Sequence, residues 1–247
     1  MRVEPSGVYR SPLEEQRFGI RVARVAWMTQ ELLPVALDFA RQHEISLLIA
    51  RCMAAERRVY QAMEREGFLL TETMMCLEAD VTRPIPPDPG KALVRPVTAD
   101  DADEVARLAE VCFRGYESHY HADDRLERRK CDEIQVDWAR RACASREVAD
   151  EVLVAETDGA LGGYFILKQN SAEEADVAVA AVVPDRRGRG VYESLVVRSM
   201  NWAKERGAKR ITGLVQVTNP AVQRTPMRLG WMPSFTYHTF HKWFDRS

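Results

Sequence analysis

No apolar stretch in this chain approaches the roughly 20 residues needed to cross a bilayer, so no membrane span is expected. The opening segment, Met1 to Arg17, is polar and carries Arg2, Arg10 and Arg17. It lacks the apolar core of a secretory signal, and the two absences together point to the cytoplasm. A dominant charge is also missing. Thirty-five Lys and Arg face 37 Asp and Glu, for a net charge of -2, so no overall field recruits nucleic acid or an anionic membrane. Cysteine is sparse and odd in number: Cys52, Cys76, Cys112, Cys131 and Cys143. No pair has the short spacing of a zinc or redox motif, so reduced and mostly buried thiols are expected, with no metal.

What is present is a length of 247 residues, enough for one large domain or two smaller ones with real cores. The clearest seam runs from Asp80 to Lys91 and holds four of the 12 prolines. Proline fixes its own φ and lacks a donor, so such a run reads as an extended connector. The division expected is residues 1–80, a linker over 81–91, and residues 92–247.

Before the seam the pattern reads strand, helix, strand, helix, strand: Arg21 to Met28, Glu31 to His43, Ser46 to Arg51, Ala54 to Glu66, and Phe68 to Ala79. After it, Ala92 to Pro96 is a strand, and Thr98 opens a helix through Cys112 with acids in its first turn. Arg125 to Ala144 is a second helix. Strands Glu151 to Glu156 and Gly163 to Lys168 flank a turn at Asp158-Gly159, and a β-type run from Asp176 ends at Pro184. Helix Val191 to Arg206, strand Lys209 to Val217, helix Asn219 to Leu229 and one or two strands over Met232 to Trp243 complete an α/β fold with a central mixed sheet. A faint repeat at an offset of 163 aligns Val59 to Phe68 with Val222 to Trp231, with Val, Arg and Gly matched and Phe facing Trp. Both copies follow a short apolar strand and precede a final strand, as a partial duplication would.

The chemistry concentrates in Val182-Val183-Pro184-Asp185-Arg186-Arg187-Gly188-Arg189-Gly190-Val191-Tyr192. Glycines allow a tight turn and close approach by a ligand. The first amides of the following helix lack internal acceptors and sit at the positive end of its dipole, an anion site suited to pyrophosphate. The arginines add forked donors. A nucleotide-triphosphate loop is excluded because Gly-Lys-Ser/Thr is missing. A dinucleotide fingerprint is excluded because its third glycine is missing. Composition alone leaves a solvated basic turn as the alternative.

The pattern strand-Val-x-Pro-x-x-Arg-Gly-x-Gly-Val-helix resembles the acetyl-CoA signature of the GCN5-related N-acetyltransferases, and the element order from Ala92 to Trp243 resembles that family throughout. The resemblance implies acetyl-CoA as acyl donor, with Val182 and Val183 along the pantetheine arm and a Val182 backbone amide polarising the thioester carbonyl. It implies that Arg187, Gly188, Arg189, Gly190, Val191 and Tyr192 hold the pyrophosphate and that Asn219 contacts the pantetheine region. The chain departs from the pattern twice. Tyr192 stands where the family usually has Gly or Ala. Pro226 stands seven residues after Asn219, where many members carry a Tyr that protonates the leaving thiolate. Either another residue serves, or the thiolate leaves unassisted, its thiol pKa being near ~8.5.

The resemblance also places the segment Tyr116 to Asp124 at the border of the acceptor cleft. His119 and His121 are the candidate bases for an incoming ammonium, and Tyr116, Tyr120 and Asp123 the candidate acceptor contacts. Alternation over the last strand puts Tyr237 and His241 on one face, with the same role. The first 80 residues look like a truncated copy of the same fold without the phosphate turn. That layout resembles the dTDP-fucosamine acetyltransferases, which implies a nucleotide-linked amino sugar as acceptor. A peptide, a protein or another small amine as acceptor, or coenzyme binding without catalysis, are the alternatives, and homodimerisation stays open.

Overall fold

The computed structural model describes residues 7–244. Of the polar opening segment, the first six residues lie outside the described residues. Among the described residues no helix is long and apolar enough to cross a membrane, and all five cysteines are free thiols. The chain forms two compact units. The larger comprises Cys76–Tyr116 and Asp132–Ser234, and the smaller comprises residues 7–75, Glu117–Cys131 and 235–244.

The smaller unit begins with two elements too short to leave a periodicity in the sequence, β1 (Val8–Arg10) and α1 (Pro12–Phe18). Helix α1 forms because Pro12 opens it, Glu14 and Glu15 favour its N-terminus, and Gly19 closes it at φ 72°. Then come β2 (Val22–Val25), α2 (Leu32–Gln42), β3 (Leu47–Met53), α3 (Arg57–Arg65) and the start of β4 (Leu69–Asp80). Strands β2 and β3 are parallel, as a helical crossover through α2 requires. Helix α2 buries Leu33, Ala36, Leu37 and Ala40, a stripe at helical spacing. With Ile45, Leu48, Met63, Phe68 and Phe240 they make this unit's core.

In the larger unit β5 (Leu93–Pro96), β6 (Glu151–Thr157), β7 (Ala160–Gln169) and β8 (Glu174–Val182) form an antiparallel meander. Asp158 and Gly159, both at positive φ, make the β6–β7 hairpin turn. Strand β8 runs parallel to β9 (Arg210–Gln216), with α6 (Val191–Glu205) between them in sequence. Helices α4 (Ala102–Cys112) and α5 (Arg128–Ala144) contribute Val105, Leu108, Ala109, Ala139 and Ala142 to a core shared with Val152, Tyr164 and Ile166. Helix α7 (Pro220–Arg228) leads into β10 (Met232–Trp243), a single strand of 12 residues. Both units are therefore α/β with mixed sheets.

The faint repeat is exact at the level of elements. Adding 163 to the bounds of β3, α3 and β4 gives the bounds of β9, α7 and β10. The long strands are exchanged between the copies. Strand β10 pairs antiparallel with β3, Tyr237 opposite Met53 through Trp243 opposite Leu47. Strand β4 ends beside β9 in the larger unit. The smaller unit thus includes Phe235–Trp243 of β10, and the larger includes Cys76–Asp80 of β4.

Candidate active site

The register of β8 prepares the turn that follows it. Ile166 pairs with Val179 but Leu167 with Val177, so Ala178 is an extra residue in β8, a bulge that bends the strand. The ladder to β9 spans only Glu174–Val177 against Arg210–Gly213, although both strands continue. Val183 N donates to Gly162 O at 3.0 Å, a hydrogen-bonded pair with β7. Alternation then turns the N–H and C=O of Val182 away from β7, toward the side where the β9 ladder has ended. The Val182 carbonyl accepts from Arg187 Nε at 3.0 Å. Its amide is the donor left facing that gap.

The chain then makes a short 3-10 turn over Pro184–Arg186, and Gly188 and Gly190 adopt φ 72° and 84°. These left-handed conformations cost L-residues with side chains and suit glycine. The first helical bond of α6 is Ser194 N to Gly190 O at 3.0 Å. The amides of residues 188–193 find no acceptor among the described residues. That is a cradle of six successive donors at the positive end of a 15-residue helix.

The side chains divide differently from expectation. Arg186 is tied to Asp158, and Arg187 Nε donates to the Val182 carbonyl, which ties its side chain to the end of β8. Arg189 is exposed. Tyr192, the unusual residue, packs its ring on Phe165 of β7 at 5.4 Å between centroids, and burial pushes its hydroxyl pKa up. A bulky residue is accommodated there because its side chain points into the helix–sheet contact and only its amide joins the cradle. Asn219 caps α7, its Oδ1 accepting from Val222 N at 3.3 Å. Pro226 lies buried within α7 and has no proton to offer.

Of the acceptor-side candidates, the smaller unit gathers His119, Tyr120, Asp123 and His241. His241 Nδ1 lies 2.7 Å from Asp123 Oδ2, and His119 Nδ1 lies 2.9 Å from His241 Nε2. Trp243 Nε1 also donates to Asp123 Oδ2 at 2.8 Å. A carboxylate only accepts, so His241 carries its proton on Nδ1 and accepts at Nε2. His119 must then donate from Nδ1, which leaves its Nε2 with the lone pair. Burial, followed by the nearby His241, Arg24 and Arg51, holds the His119 pKa well below its ordinary value. For Asp123, burial works upward, but the hydrogen bonds from His241 and Trp243 outweigh it and the pKa is lowered. Tyr120 donates to Glu14 and accepts from Arg24 at 2.7 Å.

The other candidates have different partners. His121 Nδ1 accepts from Ser118 N at 3.2 Å, which engages the lone pair a base would need. Tyr237 is buried against Trp27 and under Arg51. Tyr116 belongs to the larger unit and packs on Phe113. The role of Arg24 and Glu14 in this cluster left no signal in the sequence, because their partner Tyr120 is about a hundred residues away.

Residues 103–231 match the model of the acetyltransferase (GNAT) family, and the chain belongs to that family, whose members generally use acetyl-CoA. An uncharacterized N-acetyltransferase of Methanocaldococcus jannaschii is 27% identical over 144 residues, 56% of this chain and 59% of that one. A mycothiol acetyltransferase of Clavibacter sepedonicus is 32% identical over 122 residues, 49% of this chain and 36% of that one. The chain therefore spans little more than half of the first relative and about a third of the second. A GCN5-related N-acetyltransferase of Sphaerobacter thermophilus has the same fold, with a TM-score of 0.64 at 15% identity, over 96% of this chain and 76% of that one.

Proposed function

We propose that the protein transfers an acetyl group from acetyl-CoA to the amine of a small molecule, by direct attack of the amine on the thioester. The observation that carries this reading is the run of amides over residues 188–193 that find no acceptor among the described residues, directly after a strand whose ladder to β9 has ended. The residues fit the coenzyme: the amide cradle suits a pyrophosphate, and the gap beside Val182 suits an extended arm. Acetyl-CoA supplies the activated acyl group. The Val182 amide polarises the carbonyl as an oxyanion donor, and the Arg187 hydrogen bond to the Val182 carbonyl holds that peptide in place. Within the smaller unit His119, with its Nε2 unprotonated, has the chemistry of a proton acceptor and is the proposed base. His241 and Asp123 set its tautomer.

The acceptor proposed is a nucleotide-linked amino sugar. Support comes from the layout, a truncated first copy without a phosphate turn ahead of a full second copy. A relative named for mycothiol acetylation is in keeping with a small-molecule acceptor. Pro226, in the place of the usual proton donor, favours a second reading, coenzyme binding without turnover.

Calorimetry with coenzyme A tests the first half of the proposal. The wild type should bind, and Gly190→Leu should not; equal binding by both would refute the turn assignment. A free-thiol assay over nucleotide amino sugars, peptides and simple amines tests the second half. Turnover on peptides alone would reject the amino sugar, and bound coenzyme with no turnover on any amine would favour the second reading.

A further inference from the structure

The proline-rich segment is not a loose tether. It runs along α6 from the last turn of that helix to the first, within the larger unit. Near its start the Arg83 carbonyl accepts from Lys204 Nζ at 3.3 Å. Further on, Asp88 Oδ1 accepts from Ser194 Oγ at 2.7 Å and from Gly90 N at 2.8 Å. Ser194 is fully buried, so this is an anchored contact. At the end of the strap the stem of Lys91 lies directly against Gly190. A Cβ built on Gly190 would fall 2.5 Å from Lys91 Cγ and 2.9 Å from its Cβ. Gly190 is therefore required twice, once for φ 84° and once for the space taken by Lys91.

The stem of Lys91, an exposed residue, lies at the N-terminus of a helix, where the dipole repels a cation. Arg187 and Arg189 flank the same turn. The acids nearby are engaged. Glu193 pairs with Arg228, and Asp88 accepts two hydrogen bonds. Asp185 is mostly exposed, 3.9 Å from Arg186. A multiply charged anion on the turn converts this repulsion into attraction, and a lysine is a compact point charge suited to phosphate.

We propose that Lys91, delivered by the strap, is a phosphate ligand of the coenzyme on the Gly188–Tyr192 turn, with Asp88 as the residue that positions it. This rests on the reading that the turn binds coenzyme A. The phosphate is either the pyrophosphate or the 3′-phosphate of the coenzyme, and the test separates them.

The experiment is titration calorimetry of the full chain with coenzyme A and with dephospho-coenzyme A. The proteins are the wild type, Lys91→Met, Lys91→Arg, Asp88→Ala and the Asp88→Ala/Lys91→Met double variant. Met keeps the stem and removes the charge, at an exposed position where folding is not at stake. Lys91→Met should bind coenzyme A about tenfold more weakly and lose part of the salt dependence, and Lys91→Arg should recover most of the affinity. A loss equal for both ligands assigns the pyrophosphate; a loss confined to coenzyme A assigns the 3′-phosphate. Asp88→Ala should weaken binding in the wild-type background and have little further effect beside Lys91→Met, as expected of coupled residues. Wild-type binding with Lys91→Met within twofold of it, for both ligands, would overturn the role of Lys91 alone. Absence of binding by the wild type would overturn the turn assignment and this proposal together.

Discussion

Two adjacent glycines on β7 meet very different surroundings, and replacing each with alanine separates packing from backbone freedom. Neither Gly162 nor Gly163 sits at positive φ, so alanine brings no conformational strain at either position. At Gly163 a Cβ would lie 2.7 Å from the Ala181 carbonyl oxygen, 3.0 Å from Val182 Cγ2 and 3.2 Å from Leu195 Cδ1. The first of these is backbone and cannot rotate away. Gly163 pairs with Val182 itself, so β7 and β8 must spread at the residue whose amide is assigned to the thioester. Overpacking of this kind costs about 1–3 kcal/mol. For a chain of this size that lowers the melting temperature by about 3–10 °C. At Gly162 the nearest atoms are Arg186 Cγ and Thr157 Oγ1, both 3.3 Å away and both on side chains. Gly162→Ala should therefore stay within about 0.5 kcal/mol of wild type. The assay is thermal unfolding of both variants, followed by steady-state kinetics with saturating coenzyme. Gly163→Ala should also lose kcat more than coenzyme affinity, because the amides of residues 188–193 are untouched. Equal melting temperatures for the two variants would refute the steric reasoning. A Gly163→Ala enzyme with wild-type kcat would refute the role given to Val182.

Two further outcomes follow from carboxylates whose pKa the fold shifts. Asp123 has a lowered pKa, so its contribution is present above the unfolded carboxylate value near ~3.9 and is lost as pH falls through the folded value. Asp123→Asn should cost about 1–3 kcal/mol at neutral pH and flatten the acid limb of a denaturant-stability profile; an unchanged profile would show that the His241 contact carries no stability. Asp176 goes the other way. Burial raises its pKa to about 6, against a 3.0 Å hydrogen bond from Thr212. The folded value lies above the unfolded one, so stability falls as pH rises through roughly 4 to 6 and stays low above. Asp176→Asn should gain about 1–2 kcal/mol at pH 7 once its partial exposure is allowed for and nothing at pH 3, as urea titrations at the two pH values would reveal; a gain equal at both would point to packing instead.

The sequence by itself determined the order of the longer elements and the place of the glycine turn. Both rest on local chemistry: periodicity distinguishes helix from strand, and Gly188, Gly190 and the helix start write the turn into consecutive residues. The repeat was legible for the same reason, and its offset held to the residue. Elements as short as β1 and α1 escaped because three to seven residues carry too little pattern.

Tertiary structure alone decided everything that depends on which distant segments meet. Strands β4 and β10 are equivalent by pattern, and ladder hydrogen bonds are made by backbone atoms common to every residue. Nothing local could therefore say that β10 would pair with β3. The direction of Tyr192, the Asp123–His241–His119 tautomer chain and the seat of Lys91 on Gly190 all depend on contacts across many residues. A resemblance to acetyltransferases pointed to the turn, but only folding brought the proline-rich strap to it, because the strap is held by side chains of α6 a hundred residues further along the chain.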